Sequence, residues 1–94
     1  MAIVMSMHWP EVTKEQYEQA RREVNWEGDQ PKGGKLHVSW FDNGLHVFDL
    51  WDSQADFEKF AAERLGPVVQ KIGIKSQPNV TFGEVHAIYT PTPA

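Results

Sequence analysis

The stretch KLHVSWFDNGLHVFDLW, Lys35 to Trp51, reads as a strand, a turn and a second strand, and its register decides which side chains share a face. If Asn43-Gly44 alone formed a two-residue turn, Asp42 would pair with Leu45 and Val38 with Asp49. That arrangement sets a carboxylate among Leu36, Trp40 and Trp51. A three-residue turn, Asp42-Asn43-Gly44, with Gly44 in the left-handed conformation of a G1 bulge, is the other common solution. It pairs Phe41 with Leu45, Ser39 with Val47 and His37 with Asp49. One face then carries Leu36, Val38, Trp40, His46, Phe48 and Leu50, and the other His37, Ser39, Phe41, Val47, Asp49 and Trp51. The second register is preferred because it gathers most of the polar groups on one face. Opposed residues hold their Cβ atoms about 4.5–5.5 Å apart, so the His37 ring and the Asp49 carboxylate can hydrogen-bond.

Outward from the hairpin, Ala2 to His8 is a short apolar run read as a first strand, stopped by Trp9-Pro10. The segment VTKEQYEQARREV places Thr13 and Gln16 at capping-box spacing and predicts a helix over Thr13–Val24. NWEGDQPKGGK is turn-forming throughout, and Trp26 within it is expected to fold back as a lid on an apolar surface. After the hairpin, Ser53 is a helix N-cap and Phe57, Phe60, Ala61 and Leu65 form an apolar stripe. Gly66-Pro67 predicts a bend or a restart there. VTFGEVHAIYT predicts a fourth strand ahead of the proline-rich tail PTPA. The order strand, helix, strand, strand, helix, strand predicts an α+β fold of the ferredoxin-like βαββαβ type, one four-stranded antiparallel sheet with both helices on one face.

The chain has 94 residues, 40% hydrophobic and 12% aromatic, which predicts a single domain over residues 1–94. A net charge of -4 with scattered Lys and Arg argues against nucleic acid as a partner. Cysteine is absent, so disulfides and thiolate metal sites are excluded. MAIVMSMHWP lacks the basic region and apolar length of a secretory leader, and no run approaches the about 20 apolar residues of a membrane span. A cytoplasmic protein without membrane attachment is the expectation. Two helices cover one face of a sheet, yet Ile3, Val4, Met5, Val47 and Phe48 are apolar on consecutive residues. A second copy of the chain is the simplest cover for the other face, so a homodimer with its sheets face to face is expected.

LWDSQADFEKF, Leu50 to Phe60, resembles a signature of the dimeric α+β barrel superfamily, in its antibiotic-biosynthesis-monooxygenase-like branch: a third strand ending in Trp, an acidic residue and Ser, then a helix with Phe on its buried side. The likeness in element order covers nearly the whole chain. It implies two sheets forming a barrel across a dimer, with a small-molecule pocket in each subunit between sheet and helices. Members include cofactor-independent oxygenases of aromatic polyketides, haem-degrading enzymes, polyketide cyclases, lactone isomerases and proteins without known activity. The haem-degrading members carry an iron-ligating His on the second helix. Ser53 to Ile72 contains no histidine, so no cofactor is expected.

The candidate catalytic residues are His37, as base or donor, and Asp49, as the group that orients it. The same pair can equally be a structural hydrogen bond in a half-buried sheet. His8, ending strand 1, is expected to approach Asp49 or Trp51, and His86, in strand 4, to flank the same cavity or the dimer seam. Trp51 is expected to wall the cavity under a Trp26 lid, and His46 to sit at the rim. Three histidines and a carboxylate also permit a metal site, but H-x-H and H-E-x-x-H spacings are absent and no metal is expected. The resulting reading is a homodimer that binds an aromatic or polyketide-like small molecule, acting on it by acid–base or cofactor-free oxygenase chemistry. The alternative is a non-catalytic ligand-binding or structural dimer.

Overall fold

The computed structural model describes residues 2–91, and residues 92–94 of the proline-rich tail lie outside it. Strand β1 (Ile3–Trp9), helix α1 (Lys14–Val24), strands β2 (Gly34–Phe41) and β3 (Leu45–Trp51), helix α2 (Gln54–Phe60), a π-helical turn (Ala61–Leu65), helix α3 (Gly66–Ile72) and strand β4 (Asn79–Glu84) follow in order. The sheet order is β2-β3-β1-β4 and every pair is antiparallel. This is the expected ferredoxin-like α+β arrangement.

Strand alternation sets the two faces. Ile3, Met5, Met7 and Trp9 of β1 and Leu45, Val47 and Trp51 of β3 are buried and share one face. Val24 of α1 and Phe57 and Phe60 of α2 join them in a single core. Each buried Phe contributes roughly 1.5–3 kcal/mol of transfer free energy. Among the described residues the other face carries no helix, and Leu36 and Trp40 of β2 remain 46% and 45% exposed.

The hairpin takes the three-residue turn. Phe41 opposes Leu45 and His37 opposes Asp49, and Gly44 has φ 103°. Asn43 is left-handed as well, with φ 55°, so the turn holds two such residues where the pattern predicts one. Asn tolerates this conformation better than most residues. A Cβ on Gly44 would overlap the backbone of Pro10, so glycine is required there twice over.

Three boundaries differ from the sequence reading. Trp9 belongs to β1 rather than ending it, buried with its Nε1 donating to Ser76 Oγ at 2.8 Å. The capping box makes Thr13 the N-cap of α1, with Lys14 its first residue. Strand β4 ends at Glu84, not Thr90, because Glu84 pairs with Ile3 and one last bond runs from Val85 N to Ala2 O. The β1 ladder offers nothing further among the described residues.

At Gly66-Pro67 the chain neither breaks nor leaves helical conformation, since Gly66 has φ -55° and ψ -49°. Pro67 lacks the amide that an α-helix would need at that point. The π-helical turn absorbs the defect: Gly66 donates back five residues to Ala61 O, and Pro67 falls in the first turn of α3.

Gly44 and Gly73 separate two sources of strain. Both have positive φ, but a Cβ on Gly73 meets nothing within 4 Å. Gly44→Ala should cost about 3 kcal/mol and Gly73→Ala about 1 kcal/mol in urea unfolding. Equal losses would mean that the close approach of Pro10 adds nothing.

Candidate active site

Asp49 is the one buried acidic residue among the described residues, 2% exposed on the core face of β3. Burying a carboxylate is costly unless its oxygens are hydrogen-bonded, and here each has a donor. Trp51, two residues along the same strand and so on the same face, donates Nε1–H to Oδ2 at 3.1 Å. His37, directly across the ladder, donates from Nδ1 to Oδ1 at 2.7 Å. The hairpin turn therefore creates the pair, by fixing the register.

The carboxylate also fixes the tautomer. With the proton on Nδ1, His37 presents a lone pair at Nε2, and the Tyr17 hydroxyl donates to it at 2.8 Å. The Tyr17 and His37 rings lie within 10° of parallel at a centroid separation of 6.3 Å, so the bond runs in the plane of the imidazole. Burial pushes the Tyr17 phenol above its ordinary 10.0, outweighing the Ser39 hydroxyl and the Arg21 cation, which pull it down. A relay Trp51–Asp49–His37–Tyr17 thus crosses from the core of β3 to the face of α1.

The relay borders a cavity of about 90 Å³ between sheet and helices. Met5, Met7, Val47, Phe57, Phe60 and Val69 line it with apolar surface, and Gln16, Tyr17, Arg21, His37 and Asp49 are the polar residues that border it. Trp26 closes one side as the sequence predicts, edge-on to Trp51 and Phe60 and tilted against His37 at 5.3 Å. It lies on the backbone of Gly34, where a Cβ would come within 2.8 Å of the indole.

The other expected site residues lie elsewhere. Trp51 is fully buried behind Asp49 and is not part of the cavity wall. His8 projects from the opposite face of the sheet, because Met5 and not His8 pairs with Asp49. There it stacks on His46 at 4.1 Å and hydrogen-bonds Asn43 O, while His46 stacks on Trp40 and hydrogen-bonds Asp42 O. His86 lies beyond the end of β4 and is exposed. The expected histidine cluster therefore does not assemble, and no group of three metal-ligating side chains converges among the described residues. Tyr17 is the member of the relay to which the sequence reading assigns no role. Its helix position, on the apolar face with Ala20 and Val24, is the signal that points it at the sheet.

The fold is similar to that of solved structures described as antibiotic biosynthesis monooxygenases. An antibiotic biosynthesis monooxygenase is similar at TM-score 0.62 and 18% identity, over 93% of this chain and 100% of that one. SnoaB, a cofactor-independent oxygenase from Streptomyces nogalater, is similar at 0.61 and 11% identity, over 93% of each chain. A variant of MhuD with two manganese protoporphyrin IX molecules bound per active site is similar at 0.62 and 10% identity, over 96% of this chain and 98% of that one. At these identities the likeness is one of fold. No protein-family model matches the sequence, and no functionally curated protein does either.

Asp49→Asn should keep the fold but cost about 1–3 kcal/mol, since one amide cannot accept from both Trp51 and His37 as the carboxylate does. Nitrogen-15 NMR of the His37 ring should show the Nδ1–H tautomer in the wild type and its loss in the variant. An unchanged ring spectrum would remove Asp49 as the orienting group.

The raised Tyr17 value means that the native chain holds the phenol proton more tightly than the unfolded chain does. That contribution is complete below the unfolded value near 10.0 and is lost as pH rises through the native one. Alkaline difference spectroscopy should show a late-ionising tyrosine that Tyr17→Phe abolishes. A titration unaltered by Tyr17→Phe would contradict the burial argument.

Proposed function

We propose that the chain binds an aromatic small molecule in the cavity and acts on it with His37 as acid–base group and Asp49 as its orienting partner. The observation that carries this is the placing of the pair: Asp49 holds His37 by Nδ1 where both residues border an apolar space, with Nε2 on the Tyr17 hydroxyl. Removal of an acidic ligand proton by Nε2 leaves the electron pair on the ligand, where dioxygen is the electron acceptor in a cofactor-free oxygenation. The fold shared with SnoaB, a cofactor-independent oxygenase, supports this chemistry by analogy.

The porphyrin of the MhuD variant does not fit here. Residues 53–72 contain no histidine to ligate its metal. The second reading, a non-catalytic ligand-binding or structural dimer, is favoured by one observation. The cavity of about 90 Å³ is smaller than the roughly 300–1,000 Å³ of most ligand sites.

The assembly in this proposal is a homodimer formed through the open sheet face, which carries Leu36, Val38 and Trp40 at 46, 43 and 45% exposure. Its tested form is Val38→Asp: sedimentation should show a dimer for the wild type and a folded monomer for the variant. A wild-type monomer at micromolar concentration would reject the dimer.

For the site, Ala20→Leu fills the cavity from α1 and leaves every residue of the relay in the sequence. It should weaken binding of 1-naphthol, followed by tryptophan fluorescence, by about tenfold or more; undiminished binding would place the ligand elsewhere. Oxygen uptake with an autoxidisable polycyclic phenol should fall about 100-fold or more in His37→Ala. Equal rates with and without His37 would leave the non-catalytic reading.

A further inference from the structure

Tyr17 occupies an unusual position for a hydroxyl donor. It lines the inner cavity and also an open groove of about 410 Å³ on the solvent side, together with Lys14, Ser39 and Phe41. It stands between the two spaces with Arg21 and His37, which also line both, and its hydrogen bond to His37 Nε2 holds the ring in place.

The inner cavity alone is too small for an aromatic guest. At about 90 Å³ it falls below the roughly 150 Å³ of an engineered apolar cavity that admits benzene. Rotating the Tyr17 side chain into the groove would join the two spaces without moving the backbone of α1. The groove can receive it, since Phe41 already meets the ring edge-on at 6.0 Å and Ser39 stands beside its hydroxyl.

The vacated position has a defined chemistry. With its proton on Nδ1, His37 offers Nε2 as an acceptor, so the atom replacing the Tyr17 oxygen must carry a hydrogen to donate. The surrounding walls are apolar, aliphatic from Met5, Met7 and Val69 and aromatic from Trp26, Phe57 and Phe60. An aromatic ring bearing a hydroxyl satisfies both demands, and the tyrosine side chain is itself such a molecule.

We propose that Tyr17 is an internal stand-in for the ligand: a removable plug whose phenol marks the site where a phenolic ligand places its own hydroxyl on His37. The proposal rests on the reading of the cavity as a ligand site. It adds the ligand class and the means of entry. Affinity for a phenol is set by competition with Tyr17, and an aromatic ether of the same shape is refused because it cannot replace the donated hydrogen bond.

The test uses p-cresol, which is the tyrosine side chain as a free molecule, and its methyl ether, 4-methylanisole. Binding of each is measured by calorimetry to the wild type, Tyr17→Phe, Tyr17→Ala and His37→Phe. The wild type should prefer p-cresol. Tyr17→Phe, which unlatches the ring, should tighten p-cresol and the ether alike, about five- to tenfold, and leave the preference for p-cresol in place. Tyr17→Ala should bind p-cresol more tightly again, and His37→Phe should level the two probes. Weaker p-cresol binding in Tyr17→Phe would overturn the proposal, because Tyr17 would then be assisting the ligand rather than competing with it. Binding by Tyr17→Ala alone would overturn it too, since the ring would then not swing aside. Wild-type binding of both probes without preference would defeat the plug and leave the ligand site intact. Absence of binding in every protein would defeat both.

Discussion

Everything at the candidate site hangs on one buried carboxylate with two donors. Removing a carboxylate from water costs several kcal/mol even after the protein relaxes, so Asp49 is tolerable only where both oxygens are met. Trp51 can meet one because alternation returns residue 51 to the side of residue 49. His37 can meet the other because the hairpin register sets it directly opposite. The two donors are unlike in what they transmit. The indole ends the chain of hydrogen bonds in the core, whereas the imidazole passes it on to Tyr17. A structural requirement, satisfying a buried charge, thereby fixes a tautomer at the edge of a cavity.

The parts of this that are local were legible in the sequence. Asp42-Asn43-Gly44 and the two apolar–polar alternations define a register, and a register defines His37 opposite Asp49. Thr13 and Gln16 define a helix start for the same reason, since a capping box is a contact across three residues. His8 shows where that reasoning stops. Alternation groups it with Val4 and Ser6, but whether that group shares the face of Asp49 depends on which β1 residue opposes residue 49. Met5 holds that place, and His8 instead opposes His46. His86 failed for another reason, as strand propensity continues past Glu84 while the neighbouring ladder does not.

Tyr17 was hidden because its role arises between elements. Nothing within α1 tells how far along β2 the helix lies, so the meeting of residues 17 and 37 follows from packing of helix on sheet. The π-helical turn is a similar case. The sequence shows that Pro67 removes an amide, but not that the chain answers by widening one turn and keeping a single helical path. In both places the sequence states the demand and the tertiary structure chooses the response.

The closure by Trp26 also has an optical consequence. Its indole meets that of Trp51 at a centroid separation of 5.1 Å with planes at 78°, close enough for their electronic transitions to mix. Two chromophores so coupled and so crossed rotate light as a pair, giving a paired positive and negative signal in circular dichroism that neither indole gives alone. Because one partner is locked in the core and the other rides on the loop over His37, the intensity of that signal reports the position of the loop. The protein therefore carries its own spectroscopic gauge of whether the cavity is covered.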